Sequence, residues 1–368
     1  MTGMKSEIEL LPRRRSRPLR RRVVAVATVV FVGYFGWVVI SDRGQIGRAL
    51  LRFQGAKLRW LLVAIGFGVV SQVAGVLVQH RILTRAGIGM RVRTMFAFVL
   101  AQSAIGLAAP GGPVAANAYA FRRLRNGGTE AAVAVWALAA INIVGAVAVA
   151  GFSILALSGV SPAGVATLLV LALLLAVLVI VVRSPSRALR PMRAILWTVR
   201  RVRRRPTDDV GDSADAFVRR LSVIRLGRLD LSLTGALAVV SVLADCAVWL
   251  AATQAMITVP SRCVSVPPVT PLPAICQRFH EPKQADDLVA YASGQAANVF
   301  QVLPGGIGLV EGAMTATLTA RHVRPVPALS AVLLYRVISY WAVILIGGAC
   351  WLALRRRPPR SRAERSHL

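Results

Sequence analysis

Apolar residues in this chain come in long unbroken runs rather than in the one-sided stripes of a surface helix. Six such runs, 23–40, 60–78, 131–155, 165–182, 229–256 and 328–353, are separated by more polar stretches of varied length. Runs of this length predict helices that cross a bilayer. Two further apolar stretches, 95–109 and 288–303, are shorter, and each stops at the tripeptide Pro-Gly-Gly. Proline and glycine cannot sit comfortably inside a helix, and broken backbone survives at membrane depth only where protein or a wet cavity surrounds it. The expected fold is an all-α polytopic membrane protein of six full spans plus two re-entrant helical hairpins, near 95–120 and near 288–319. The second break, LPGGIGLVEG at 303–312, places Glu311 seven residues past its proline, predicted to lie about two turns into the helix that follows.

Charge sets the expected topology. Net charge is +30, but the basic residues gather in tails and loops beside the apolar runs, with no interleaved aromatics for base stacking. Membrane topology accounts for them, and nucleic acid is not an expected partner. Residues 1–22 form a basic tail leading into an uncleaved first helix, and no small-residue cleavage site follows it. The loop 183–228 carries thirteen arginines against four aspartates, and 355–368 is a second basic tail. Keeping these segments on the cytoplasmic side makes the first hairpin enter from the cytoplasm and the second from the outside, with both termini cytoplasmic. The basic residues between Arg43 and Arg59 then fall on the outer face, against the rule. The first membrane half is 23–182 and the second 229–354, with an outer loop at 257–286 that holds six prolines. Only Lys5, Lys57 and Lys283 among the 45 basic residues are lysine, a bias that suggests GC-rich bacterial coding and a plasma (inner) membrane location.

Superposing Pro110-Gly111-Gly112 on Pro304-Gly305-Gly306 gives an offset of 194 residues that needs no later gap, and it places Asn117 on Glu311 and Asn142 on Arg336. Together with the opposite entrance sides, this predicts an inverted repeat of the kind secondary transporters use for alternating access.

Three charged residues fall well inside predicted spans: Asp245, Glu311 and Arg336. Each costs about 2.5–3.5 kcal/mol at a helix centre, so such groups pair or line a polar cavity. Arg336 can pair with Glu311 or with Asp245. An ion pair that only locks helices is one outcome, and a site where Arg336 meets an anionic head group is the other. Asn117, Asn142, Gln301 and Tyr335 add hydrogen-bonding groups to the candidate substrate-binding set, and Pro110, Gly111, Gly112, Pro304, Gly305, Gly306 and Gly308 form its backbone motif. The free N–H groups after each break would also favour an anion. Cys263 and Cys276 share the outer loop and are a candidate disulfide, while Cys246 and Cys350 lie in apolar runs. No catalytic, nucleotide or metal-binding motif is present, so no cofactor or metal is expected, and an enzymatic activity of the chain itself is not.

The stretch LPGGIGLVEGAMTATL followed by LLYRVISYW, and more weakly AAPGGPVAANAYAFRRLRNGGTEAAVAVWAL, resemble conserved blocks of the lysylphosphatidylglycerol synthase/flippase transmembrane family, which includes the membrane half of the multiple peptide resistance factor. The resemblance runs from roughly residue 25 to 355. It implies Pro304, Gly305, Gly306, Gly308, Glu311 and Arg336 as signature positions, and movement of an anionic, aminoacylated or isoprenoid-linked lipid between leaflets. No aminoacyl-transferase domain is expected after Arg355, and the Pro-rich loop departs from the family pattern. The leading expectation is a lipid translocase whose partner is a membrane phospholipid or lipid-linked substrate. The alternatives are a membrane subunit of a lipid- or glycolipid-modifying enzyme, and a non-transporting scaffold whose 183–228 loop docks a cytoplasmic or membrane enzyme.

Overall fold

The computed structural model describes residues 57–109, 111–157, 227–257, 283–299 and 304–356, all of them within one compact unit of the chain. The predicted spans 23–40 and 165–182, the loops 183–226 and 258–282, the first basic tail, the second from residue 357 on, Pro110, Gln301 and the cysteine pair Cys263 and Cys276 lie outside the described residues.

Among the described residues every element is helical. The order is α1 (Leu58–Arg85), α2 (Val92–Ala108), α3 (Gly112–Asn126), α4 (Ala131–Leu157), α5 (Arg228–Met256), α6 (Gln284–Val299), one 3-10 turn at Pro304–Gly306, α7 (Leu309–Ala320) and α8 (Pro325–Arg355), which carries a π-helical turn at Val337–Trp341. Four of them, α1, α4, α5 and α8, are long and apolar enough to cross a membrane, and α2 is a shorter apolar helix. Large apolar side chains also point outward, among them Leu62, Val69, Leu155, Leu233, Leu345 and Ile346. A water-soluble fold would bury such a surface, whereas lipid is the medium that accepts it. The protein is an all-α polytopic membrane protein.

The two breaks form hairpins. In the second, α6 and α7 run antiparallel: Thr317 Oγ1 donates to Ser293 Oγ at 3.0 Å, and Arg321 pairs with Asp286 at 2.7 Å. A Cβ on Gly294 would lie 2.7 Å from Met314, so a side chain there would make Met314 move for the hairpin to stay this close. In the first, α2 and α3 close in the same way, with Gly106 opposite Ala116 and the rings of Phe98 and Tyr119 stacked at 6.1 Å. The turns bend through left-handed backbone at Gly111 (φ 63°) and at the equivalent Gly305 (φ 59°), a conformation that suits glycine.

The halves are arranged head to tail. Helices α1 and α5 pack antiparallel: Ser71 Oγ donates to the Ser241 carbonyl and Ser241 Oγ to the Ser71 carbonyl, both at 3.0 Å. Arg85 meets Asp230 at 2.8 Å at one end, and Lys57 lies against Ala255 at the other. A reciprocal bond of this kind lies where a two-fold axis would pass between the helices. Swapping α1 with α5, α2 with α6, α3 with α7 and α4 with α8 preserves the packing: α2 lies on α8 as α6 lies on α4, and α1 on α4 as α5 on α8. The first hairpin starts from the face of Arg85 and Asp230, and the second from the face of Lys57 and Met256.

The hydrophobic core has two parts. One gathers Trp249, Tyr291, Met314, Leu318 and Val332 from α5 to α8, and the other gathers Ile82, Leu83, Phe98, Trp136 and Leu354 around the first hairpin. The halves lock where Gly347 of α8 touches the Leu100 carbonyl of α2, leaving no room for a Cβ. Gly347→Ala is therefore expected to separate α8 from α2 and lower the thermal unfolding midpoint in detergent, while Gly348→Ala, where nothing lies within 4 Å, leaves it unchanged. Equal midpoints for the two variants would show that the contact is not tight.

Two boundaries differ from the sequence-based expectation. Helix α1 continues to Arg85 instead of ending near residue 78, because Arg85 and Arg81 reach Asp230 on α5. The outer loop ends at Lys283 rather than 286, since Asp286 and Asp287 form the first turn of α6, where acidic side chains complement the helix dipole.

Candidate functional site

The site is built where the tip of the second hairpin reaches α5 and α8. After Pro304, the residues Gly305, Gly306 and Gly308 all take positive φ, so the helix restarts only at Leu309. Glu311 consequently lies in the first turn of α7, not two turns along it as its spacing from the proline suggests. From there Glu311 Oε2 accepts the Gly308 N–H at 2.8 Å, and Oε1 accepts Arg336 Nε at 2.7 Å. A carboxylate in this position satisfies one of the orphan N–H groups of the new helix and favours its dipole.

Arg336 is 6% exposed. Its Nη2 donates to the Gly305 carbonyl at 2.7 Å, and its guanidinium lies 4.7 Å from the centre of the Tyr340 ring. Of its two candidate partners the structure selects Glu311. The π-helical turn that follows directly brings Tyr340 round to this position. Its ring fills the space over Gly305, where a Cβ would collide with it, and its hydroxyl reaches the Leu107 carbonyl at the end of α2 at 3.4 Å. The ends of the two hairpins therefore meet at one tyrosine.

The same pair recurs in the first half without charge. Asn142 Nδ2 donates to Asn117 Oδ1 at 3.0 Å, and the spacing of 25 residues is that of Glu311 and Arg336. The 194-residue offset thus carries one tip-to-span bond onto the other. Asn142 also donates to the Leu138 carbonyl at 2.6 Å.

Asp245 stands apart from this pair. Its Oδ2 accepts the hydroxyls of Tyr291 and Tyr335, each at 2.8 Å, and the Gln295 side-chain amide at 3.4 Å. The donors come from α6 and α8, and all three are neutral. Trp249 packs edge-on against Tyr335 at 5.8 Å and Phe152 edge-on against Tyr291 at 5.2 Å, which hold both rings in place. Glu311 takes the direct contact of Arg336, and Asp245, in no ion pair among the described residues, feels Arg336 only through space. Tyr291 is the site residue that sequence reasoning missed. Its signal is its place one turn before Gln295 and two turns before Asn298, a polar face on an otherwise small-residue helix.

Among the sequence-predicted residues, the structure brings Glu311, Arg336, Gly305 and Gly308 together at one tip. It places Tyr335 on Asp245, and Asn117 with Asn142 at the other tip. Gly112 opens α3, with Gly111 as its N-cap, and Pro304 and Gly306 are buried in the second tip. Arg336 Nε and the Gly308 N–H both donate to Glu311, so in this arrangement the protein's own carboxylate takes these two donors. Among the described residues, no cluster of three or more ligating side chains could hold a metal ion.

The family model described as lysylphosphatidylglycerol synthase TM region matches residues 23–347, most of the chain. No match to a curated protein was found. Opposed hairpins, Pro-Gly-Gly tips and a match of this extent agree: the chain belongs to the lysylphosphatidylglycerol synthase transmembrane-region family, a family of membrane proteins associated with lipid modification and flipping.

Proposed function

We propose that this protein is a lipid translocase of a bacterial plasma membrane, moving a lipid whose head group carries an amine. The observation that carries the reading is Asp245: a carboxylate inside a membrane span, hydrogen-bonded by three neutral donors and, among the described residues, in direct contact with no cation, Arg336 acting on it only through space. Ionisable groups at such depth mark substrate or ion pathways. The three donors favour the ionised form against the burial that opposes it, and an ammonium group is the complement of that charge. An aminoacylated phospholipid has this chemistry.

The inverted halves support the same reading. Opposed hairpins whose ends meet at Tyr340 are the arrangement in which one half can rock against the other, as alternating access requires. We take the face of Arg85 and Asp230 as the cytoplasmic one, a reading that its arginines support through the positive-inside rule. The electrical asymmetry, charged in the second half and neutral in the first, gives the pathway a preferred resting place for the head group near Asp245.

Reconstitution into vesicles with acyl-labelled lipids tests the proposal. Chemical bleaching of the outer leaflet is expected to reveal protein-dependent exchange of a lipid with a net-cationic aminoacylated head group, at least several-fold faster than of phosphatidylglycerol or phosphatidylcholine. Absence of exchange for every head group would sink the translocase reading in favour of a membrane subunit of a lipid-modifying enzyme.

A further inference from the structure

A second set of charges lies far from Asp245 in the fold. On the face of Arg85 and Asp230, helices α3 and α8 both end, and between their last turns is a cavity of about 190 Å³. Tyr119, Arg122, Arg123, Asn126, Trp351 and Arg355 line it. Leu354, buried, supplies an apolar wall. Arg355 lies 5.5 Å from the centre of the Trp351 ring, which holds its guanidinium at the cavity wall.

The arrangement contrasts with every other arginine cluster described above. Arg85, Arg321 and Arg336 each have a carboxylate, in Asp230, Asp286 and Glu311. No carboxylate lines this cavity, and none of Arg122, Arg123 and Arg355 is in an ion pair among the described residues. Membrane topology requires positive residues on one face, but it does not require three of them to enclose one space with a tyrosine, a tryptophan and an asparagine. An anion seated among like charges gains from each of them at once.

We propose that this cavity binds the phosphate of an anionic phospholipid. Guanidinium groups match phosphate oxygens in charge and geometry, and Asn126 and the Tyr119 hydroxyl supply neutral donors. The space is smaller than the roughly 300–1,000 Å³ of a pocket for a drug-sized ligand. It therefore takes a head group and leaves the acyl chains outside, where Leu352 on the last turns of α8 is exposed. Basic pockets at this level between membrane helices suit acidic lipid. The site is opposite in sign to Asp245 and does not depend on the translocase reading.

Detergent-purified full-length protein provides the test, by native mass spectrometry with short-chain phosphatidylglycerol as the probe. Phosphatidylcholine serves as the neutral comparison and inorganic phosphate as the competitor. The triple variant Arg122→Ala/Arg123→Ala/Arg355→Ala is expected to bind phosphatidylglycerol at least about tenfold more weakly. Arg91→Ala/Arg93→Ala, on the same face but outside the cavity, should stay within about twofold of wild type. If the triple variant does not fold, Arg122→Gln and Arg355→Gln singly should each weaken binding about threefold. Equal losses in the two sets of variants would overturn the site and leave only diffuse attraction. Displacement of the lipid by equimolar inorganic phosphate would show that free phosphate, not lipid, is the ligand and overturn the lipid assignment.

Discussion

Arg336→Ala is expected to cost about 3–5 kcal/mol of stability, the loss typical of removing one partner from a buried ion pair. The substitution strands the Glu311 carboxylate, leaves the Gly305 carbonyl without its donor and removes the cation over Tyr340. Arg336→Lys should recover only part of this, because a single ammonium cannot reproduce the two directed bonds of the guanidinium. The first half of the molecule suggests a more demanding variant. Glu311→Asn/Arg336→Asn copies the neutral Asn117 and Asn142 pair into the second tip, and should come back to within about 1–2 kcal/mol of wild type, since removing both charges leaves neither one buried alone. Thermal unfolding of the purified proteins in one detergent orders them directly. A double variant less stable than Arg336→Ala would mean that the two tips are not equivalent.

Asp245→Asn is expected to abolish preference for an amine-bearing head group without unfolding the protein. The two side chains have the same shape, and an Asn carbonyl oxygen still accepts the hydroxyls of Tyr291 and Tyr335. What disappears is the charge. A hydrogen bond to an ionised partner is worth about 1.5–3 kcal/mol, which corresponds to about 10–100-fold in the exchange rate of the cationic lipid. Exchange of an uncharged-head-group lipid, if detectable, should change little. The signature is therefore a selective loss, which general damage to the fold would not produce.

Much of the fold can be read in the apolar runs. Three of the four long helices, α4, α5 and α8, fall within a few residues of their predicted spans, α1 runs past its own to Arg85, and the breaks at Gly111 and Gly305 follow from chain chemistry, because only glycine readily adopts that backbone. The repeat was legible too: the offset that superposes the two Pro-Gly-Gly motifs also superposes two side-chain bonds. What could not be read was which partner Arg336 takes, since Asp245 and Glu311 are equally acidic and their distances depend on tertiary packing. The position of Glu311 was misread for a local reason. Counting from Pro304 assumes that the helix restarts at once, whereas three glycines at positive φ delay it to Leu309 and turn Glu311 into a cap. That delay sets the protein's own carboxylate against Arg336 and the Gly308 N–H. Tyr291 went unnoticed because a tyrosine in an apolar helix shows its role only once the carboxylate opposite it is known.

The most direct measurement of the central claim is the ratio of exchange rates of a net-cationic and an anionic lipid in the same vesicles, taken for wild type and for Asp245→Asn. A charge-selecting carboxylate predicts a ratio well above one for wild type, falling about tenfold or more in the variant. An unchanged ratio with Asp245→Asn would contradict the account, and would assign Asp245 to holding α5, α6 and α8 together.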